Sequence, residues 1–292
     1  MKLALGTVQF GLKYGLTQNN EKVSFHETQS ILKKFLSKGG CYIDTASAYG
    51  DAESTIGLFK KRENFSIITK IESFSKKNIV FDDKEKILNC FNNSLDKLNI
   101  KSCEALLVHN CNDLFKPNGD FIYEVLQEIK QSGKVKKIGV SVYETEEINK
   151  IITSFDFDII QLPFNLYDQR LLNNGTLDKL KSLGVEIHAR SIFLQGLLLM
   201  CSNQWPSYFN NLKKHHKKTM QLLSLDNFTI LDACIAFVNN ISQIDKIIVG
   251  VNTTDQLNQI FKSLEKKAVI LDYFKYAFED LKILNPKLWT LK

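Results

Sequence analysis

Four side chains suited to proton transfer follow short apolar segments of the sequence. Asp44 comes directly after residues 41–43, with Tyr49 five residues later; Lys70 follows residues 66–69 and His109 follows residues 104–108. A carboxylate would keep the lysine charged, the ammonium would lower the pKa of the phenol, and the imidazole could orient a carbonyl oxygen. If the fold brings these side chains together, they predict acid catalysis at a carbonyl group with Tyr49 as the proton donor.

The apolar segments alternate with helical patterns along the whole chain. Eight strand-like runs end near Val8, Ile43, Thr69, Val108, Val140, Ile160, Ala189 and Val249. Strict alternation of strands and helices demands parallel pairing, and eight units in about 250 residues predict an α/β protein with a closed (β/α)8 barrel. The active site of such a barrel lies at the carboxyl ends of its strands, where all four side chains would meet.

The intervals between these runs locate the irregular parts of the predicted barrel. Helical spacing is clearest in residues 24–37, 83–98 and 169–183. The connection from strand seven to strand eight is about twice as long as the others, and we assign the excess to a loop over residues 201–225 that covers the site. An extra helix is expected at residues 271–278. Since no composition break or linker appears, residues 1–292 are expected to form a single domain.

Composition restricts the class of protein. A hydrophobic content of 44% and a charged content of 24% are typical of a globular domain that buries a large core. The net charge is +6, but only three of the 38 basic residues are arginine, so no nucleic-acid partner is predicted. Six cysteines without a Cys-x-x-Cys pair indicate reduced thiols, and no apolar run is long enough to span a membrane. We therefore predict a cytoplasmic protein.

No metal is predicted either. His215 and His216 are adjacent in the basic run 213–218 and cannot share one face of a helix, which argues against a metal pair. The run itself is typical of a solvated helix face, although it could also grip an anionic substrate. Nothing in the sequence predicts the oligomeric state.

Several segments, in register and in order, resemble the aldo-keto reductases over essentially the whole chain. They are residues 6–11, 43–53, 68–70, 107–109, 133–141 and 161–165. The resemblance implies a (β/α)8 barrel that reduces aldehydes or ketones with NAD(P)H. It assigns the family's catalytic tetrad to Asp44, Tyr49, Lys70 and His109. It further implies that Ser141 and Gln161 contact the nicotinamide carboxamide.

The chain departs from the family pattern at three positions. Val142 replaces a common asparagine, so one carboxamide hydrogen bond is expected to be absent. Arg190 stands where many members place an aromatic ring against the nicotinamide, and a guanidinium plane can also stack there. After strand eight, residues 248–257 contain no basic residue to hold the 2′-phosphate of NADP, and Asp255 would repel it.

The segment after strand eight nevertheless opens a helix, whose N-terminus favours anions. The adenine-side phosphates of the cofactor are therefore expected near Gly250, Asn252 and Gln256. By family habit NADP is the first choice of cofactor, with NAD left open.

Residues after the first, second, fourth and seventh strands are expected to bind the substrate. These candidates are Gln9, Phe10, Tyr14, Asn110 and Trp205. The polar members of this set and its surroundings favour a sugar-like, polyhydroxylated carbonyl compound. Two other functions stay open: a lyase or aldolase that forms a Schiff base on Lys70, and a catalytically silent regulatory subunit that binds the cofactor.

Overall fold

Eight parallel strands close into a barrel in the computed structural model, which describes residues 1–16, 21–266 and 272–291. The strands are β1 (Leu3–Gly6), β2 (Tyr42–Asp44), β3 (Ser66–Ile71), β4 (Cys103–Val108), β5 (Val135–Ser141), β6 (Ile159–Pro163), β7 (Glu186–Arg190) and β8 (Lys246–Gly250). Each strand pairs with the next in sequence, and β8 closes the barrel by pairing with β1. The predicted (β/α)8 fold is confirmed.

Helices surround the barrel. They are α1 (Val8–Gly11), α2 (Phe25–Ser37), α3 (Ala52–Gly57), α4 (Asp83–Leu98), α5 (Asp120–Gln131), α6 (Thr145–Ser154), α7 (Arg170–Asn173), α8 (Thr176–Ser182), α9 (Asn210–Leu225), α10 (Ile230–Asn240), α11 (Thr254–Glu265) and α12 (Leu281–Leu284). Short 3-10 helices lie at Arg62–Asn64, Cys111–Phe115, Leu197–Leu199, Ser202–Gln204, Ser207–Phe209, Tyr273–Tyr276 and Pro286–Leu288.

Local sequence explains where the helices begin and which face they bury. The hydroxyl of Ser24 caps α2 by accepting a hydrogen bond from the Glu27 amide, which satisfies a donor that the first turn leaves unpaired. Ile31, Leu32 and Phe35 then place the apolar face of α2 in the core. Residues at such intervals lie on the same side of a helix that has 3.6 residues per turn.

Strand alternation determines which side chains point into the barrel. Ile68, Ala105, Leu107 and Ile159 form a buried cluster separate from the main core, with Tyr42 packed against it. Side chains two residues apart on a strand share a face. Asp44, Lys70 and Gln161 each lie two residues beyond a member of this group. They therefore form the next layer inside the barrel, toward the carboxyl ends of the strands.

The prediction that residues 201–225 form a loop was wrong for most of this segment, because it contains the 16-residue helix α9. Leu212, His216, Thr219 and Leu223 form its buried face at spacings of four, three and four residues. This pattern was hidden because a histidine and a threonine occupy two of the four positions. The basic residues Lys214 and Lys217 lie on the exposed side, as in a solvated helix face.

Two other predicted helices differ from those observed. Residues 169–183 form α7 and α8 rather than one helix, because Gly175 adopts a left-handed conformation with φ of +74° and breaks the hydrogen-bond ladder. A helix was also expected at residues 271–278. Leu271 lies outside the described residues, and within the remainder the structure has the 3-10 helix Tyr273–Tyr276.

No single helix within residues 1–16, 21–266 and 272–291 is both long and apolar enough to cross a bilayer. The segments Ser207–Leu225 and Ile230–Asn240, bent by 85° relative to each other, reach that length and composition only as a pair.

Candidate active site

A buried ion pair lies at the base of the barrel mouth. The Lys70 ammonium donates to both carboxylate oxygens of Asp44, at 2.9 and 2.8 Å, and to the carbonyl oxygen of Thr45 at 2.9 Å. The amide Nε2 of Gln161 also donates to Asp44, at 2.8 Å. Lys70 and Asp44 are only 1% and 3% exposed. All three ammonium donors are thus engaged, and the lysine is fixed in one position.

Burial and pairing act in opposite directions on Lys70. Removal from water lowers the pKa of its ammonium, while the charge and hydrogen bonds of Asp44 raise it, and the net direction is downward. A buried ammonium without its carboxylate would lose the interaction that offsets desolvation. The charge state of Lys70 therefore depends on Asp44.

Tyr49 lies above this ion pair and beside His109. The Lys70 nitrogen is 5.1 Å from the centroid of the phenol ring. The imidazole of His109 meets the same ring edge-on, with centroids 5.7 Å apart. The four residues predicted from the ends of separate strands therefore converge at one rim of the barrel.

Close backbone packing holds the turn that carries Tyr49. Gly50 has a φ of +58°, a left-handed conformation that glycine adopts without strain. Gly11, at the end of α1, lies so close to this turn that an added Cβ would overlap the carbonyl oxygen of Tyr49. The first loop of the barrel is thus packed directly against the backbone of the second.

The expectation that Lys70 lowers the phenol pKa was wrong for the net effect. Burial raises the pKa of Tyr49, and the charge of Asp44 raises it further, although Arg190 lowers it. Because Asp44 neutralises Lys70 at contact distance, the pair has little net charge with which to stabilise a phenolate. Tyr49 is therefore held in its protonated form, which is the form a proton donor needs.

His109 is held neutral. Burial, followed by the nearby charge of Lys70, lowers its pKa from the ordinary 6.5 to about 4. The pKa of His216, whose Nδ1 lies 2.8 Å from the Tyr167 hydroxyl, is also lowered to about 4 by burial. A neutral imidazole still carries one N–H, so His109 can donate a hydrogen bond without bringing a charge into the site.

These two histidines predict how stability depends on pH. Between about pH 6.5 and 4 the unfolded chain binds protons that the folded protein excludes, so the free energy of unfolding should fall as the pH drops through this range. Urea unfolding at several pH values measures the slope. His109→Gln should reduce it, whereas His26→Gln on the exposed surface of α2 should not. An unchanged slope in the His109 variant would contradict the assignment.

A cavity of about 530 Å³ extends from these residues toward β8. Tyr49, His109 and Asp44 form part of its lining, together with Ser141 and Gln161, which are paired neighbours on β5 and β6. Its size is within the range of ordinary small-molecule sites. The expected carboxamide contacts thus adjoin the four residues predicted to carry the chemistry.

The proposed substrate contacts divide into two groups. Gln9 and Tyr14 line the cavity. Phe10 is fully buried in the main core, and Trp205, 4% exposed, packs against His216 with ring centroids 4.7 Å apart. Asn110 caps the following 3-10 helix by accepting from the Asn112 amide. These last three side chains thus have structural contacts away from the described lining.

The other end of the cavity is polar and lies at β8 and α11. Gly250, Asn252 and Gln256 line it. The Gln9 amide lies over Gly250 so closely that a Cβ there would overlap it. The side-chain oxygens of Gln9 and Asn252 are buried without a hydrogen-bond partner in the described residues. The unpaired acceptors fit the hydroxyl groups of a dinucleotide, and the glycine, which has no side chain, fits the close approach of an extended ligand.

Acidic and polar side chains already occupy the N-terminus of α11. The Thr253 hydroxyl accepts from the Gln256 amide at 3.1 Å, and Gln256 in turn accepts from the Asn252 amide at 2.7 Å. A carboxylate oxygen of Glu27, from α2, accepts from the Thr254 amide. Glu27 was missed from the sequence because α2 and α11 meet only through the tertiary fold.

Arg190 ends β7 and faces the cavity. Its guanidinium stacks over the Tyr143 ring at 4.0 Å from the centroid and donates to the Val142 carbonyl oxygen at 2.8 Å. The loop that follows contains Ser191, with a φ of +57°. Left-handed conformations of residues other than glycine are uncommon and tend to occur at functional sites. Tyr143 was not predicted from the sequence, since its contact with Arg190 arises from stacking between the ends of two different strands.

No group of three or more candidate ligands from His, Cys, Asp and Glu comes together anywhere in the described ranges. His215 instead contacts the Tyr276 carbonyl oxygen through Nε2 at 2.9 Å.

Comparison with known proteins identifies the family to which this barrel belongs. Residues 2–274 match the model of the Aldo/keto reductase family. The chain therefore belongs to the aldo/keto reductase family, as its motifs predicted.

Two curated relatives are similar to part of the chain. The aldo-keto reductase YhdN of Bacillus subtilis (strain 168) is 29% identical over 179 residues, which are 58% of this chain and 52% of that protein. The NADH-specific methylglyoxal reductase of Escherichia coli (strain K12) is 26% identical over 53% of each. The matched region thus spans about half the length of these relatives.

A solved structure shares the fold along nearly the whole chain. The holo form of aldo-keto reductase AKR11C1 from Bacillus halodurans has a TM-score of 0.75 and covers 96% of this chain and 94% of its own. At 18% identity, this similarity supports the fold alone.

Proposed function

We propose that the protein reduces an aldehyde or ketone to an alcohol with a reduced nicotinamide cofactor. The observation that carries the proposal is the convergence of protonated Tyr49 and neutral His109 above the Lys70–Asp44 ion pair, at the mouth of one cavity. Family membership supports the same chemistry. A bound nicotinamide would supply the hydride, which no side chain can donate.

Each residue of the site has a distinct part in this proposal. His109 donates its N–H to the carbonyl oxygen and fixes its direction. Tyr49 transfers its phenolic proton to that oxygen as negative charge accumulates there. Since burial raises the pKa of Tyr49, the phenol keeps its proton until the oxygen becomes basic enough to take it. The Lys70–Asp44 pair lies against the phenol, with the Lys70 nitrogen 5.1 Å from the centroid of its ring, and forms the base of the site.

The cofactor would bind along the polar end of the cavity. Ser141 and Gln161 would contact the carboxamide, and Gly250, Asn252 and Gln256 would lie near the adenine-side phosphates. Arg190 can stack a planar group on the face that Tyr143 leaves open.

We further propose that NADH is preferred, although NADP was the first expectation from the sequence. Glu27 and Asp255 are carboxylates at the N-terminus of α11, and Glu27 accepts from the Thr254 amide, one of the donors that this helix end would otherwise offer to an anion. A carboxylate near this position favours a ribose hydroxyl over a phosphate. The Escherichia coli relative, described as NADH-specific, is consistent with this choice.

Equilibrium fluorescence titration with NADH and NADPH measures the cofactor preference. NADH should bind about tenfold or more tightly, because one like-charge contact changes affinity by at least about 1.4 kcal/mol. Glu27→Gln should narrow the difference by improving NADPH binding, whereas Glu63→Gln, in the 3-10 helix before β3 and outside the cavity lining, should leave it unchanged. Tighter binding of NADPH by the wild-type protein would restore the first expectation.

A carbonyl substrate screen that follows cofactor absorbance tests the proposed function. Polyhydroxylated aldehydes and ketones should be included, because the sequence favoured a sugar-like substrate. Turnover of at least one class is expected. Cofactor binding without turnover across a broad panel would instead indicate a silent regulatory subunit.

The geometry disfavours a Schiff base on Lys70. Its nitrogen donates three hydrogen bonds, two of them to Asp44, and the residue is 1% exposed. Attack on a carbonyl needs an unprotonated amine that reaches the substrate. Borohydride trapping of a substrate on Lys70 would contradict this conclusion.

We propose the cytoplasm as the location. All six cysteines lie within the described residues as free thiols. Free thiols are typical of reducing compartments.

A further inference from the structure

Arg190 is a cation of the cavity without an acidic partner in the described part of the chain. Its hydrogen bonds there go to the Val142 carbonyl at 2.8 Å and the Ser191 hydroxyl at 3.5 Å, and its ring contact is Tyr143. None of these groups is negatively charged. A guanidinium has five N–H donors, so donors remain after these contacts.

The other cations near the cavity are balanced. Lys70 is paired with Asp44 at 2.8 Å. Lys287, whose nitrogen lies 4.0 Å from the centroid of the Tyr143 ring, is 3.5 Å from a carboxylate oxygen of Glu147. The positive charge of Arg190 is therefore the one that the described residues leave uncompensated at the site.

The surroundings hold Arg190 in a defined orientation. The Tyr143 ring covers one face of its guanidinium, and the Val142 carbonyl fixes one edge. The Tyr143 ring also contacts Lys287, and Asn285 of the same segment donates to Glu144 at 2.9 Å. A stacked guanidinium with one edge anchored presents its remaining N–H groups in a fixed plane, which suits the two oxygens of a carboxylate or phosphate.

Arg190 also faces the same cavity as the reacting groups. Its charge lowers the pKa of Tyr49, which burial raises, and the pKa of His109, which burial also lowers. All three residues line the same cavity.

We infer that Arg190 binds an anionic group, carboxylate or phosphate, of the carbonyl substrate, and so selects acidic over neutral carbonyl compounds. This inference rests on the proposed reduction. It narrows the substrate class from carbonyl compounds in general to those that carry a negative charge a short distance from the carbonyl carbon.

Matched pairs of ligands test the inference. Succinic semialdehyde and butyraldehyde differ by a carboxylate, and glyceraldehyde 3-phosphate and glyceraldehyde differ by a phosphate. The corresponding alcohols, 4-hydroxybutyrate and glycerol 3-phosphate, allow binding to be measured by calorimetry without turnover, with and without saturating NADH. The two pairs distinguish a carboxylate-bearing from a phosphate-bearing substrate.

Wild-type protein should bind at least one anionic alcohol and favour its parent carbonyl over the neutral partner. Arg190→Gln should weaken that binding and reduce the selectivity in kcat/KM by about 10- to 100-fold, as expected for a charge-assisted pair. Arg190→Lys should retain part of the binding and part of the selectivity, since lysine keeps the positive charge but lacks the planar guanidinium with its paired N–H donors. Lys214→Gln, on the exposed face of α9, removes the same charge and should change neither.

The outcomes separate this inference from the proposed function. The inference would be overturned if the anionic alcohols bound equally to wild type and Arg190→Gln, or did not bind to wild type at all. The proposed function would still stand in either case if the protein reduced neutral carbonyl compounds. If Arg190→Gln weakened NADH as much as the anionic alcohols, Arg190 would belong to the cofactor and the inference would be wrong. Anion binding lost in Arg190→Gln without any turnover would support the anion site and refute the reductase.

Discussion

Replacing Tyr49 with phenylalanine is expected to lower kcat by about 10²- to 10⁴-fold, the usual contribution of a positioned proton donor. The ring stays in place against His109, whose centroid is 5.7 Å away, and only the hydroxyl is removed. Affinity for the reduced cofactor should change little, because the variant alters no group proposed to bind it. Steady-state rates with the best carbonyl of the screen, together with a fluorescence titration of the cofactor, measure both quantities.

Tyr123→Phe provides the matched control. The Tyr123 hydroxyl, on α5, donates to the Asp156 carbonyl at 3.2 Å and is remote from the cavity lining. Its loss should leave kcat unchanged. If Tyr49→Phe kept more than about a tenth of the wild-type rate, the proton would have to come from another group, and the proposed mechanism would be wrong.

Replacing Asp44 with asparagine should affect stability as well as activity. Removing one partner of a buried ion pair leaves an uncompensated charge and destabilises a protein by about 3–5 kcal/mol. Burial already lowers the pKa of Lys70, and without the carboxylate this pKa should fall further. The variant's free energy of unfolding should therefore rise with pH toward the alkaline range, where the unfolded chain also loses its lysine protons.

Urea unfolding at pH 7 and pH 9 measures both effects. The double variant Asp44→Asn with Lys70→Met is the control, because it also removes the buried ammonium. It should recover much of the lost stability and lose the additional dependence on pH. If the single and double variants were equally stable, Lys70 would not be the source of the destabilisation.

The sequence predicted the barrel and the convergence of the four residues for one physical reason. A buried strand ends where apolar alternation gives way to a polar residue, and parallel strands of a barrel end at one rim. Asp44, Lys70 and His109 could be located in this way. Tyr49 required the turn after β2, which the small residues of 45–50 indicated.

Other parts of the site depend on contacts that no local pattern encodes. Tyr143 lines the cavity and stacks with Arg190, Lys287 contacts the Tyr143 ring, and Glu27 reaches the N-terminus of α11 from a distant part of the chain. The direction in which the pKa of Tyr49 shifts could not be predicted from the sequence either. It depends first on the burial of the phenol, which raises the pKa, and then on the nearby charge of Asp44. Residue types suggested the interaction, but only geometry decides its net sign.

The close approach of Gly11 to the Tyr49 backbone limits how this protein can vary. The proposed proton donor is positioned partly by space left vacant on a different loop, so position 11 constrains the chemistry although it contributes no reactive group. A larger residue there would need a compensating shift in the turn of residues 45–50. Variation in the first two loops is therefore coupled, and a library that randomises either loop alone would find few active combinations.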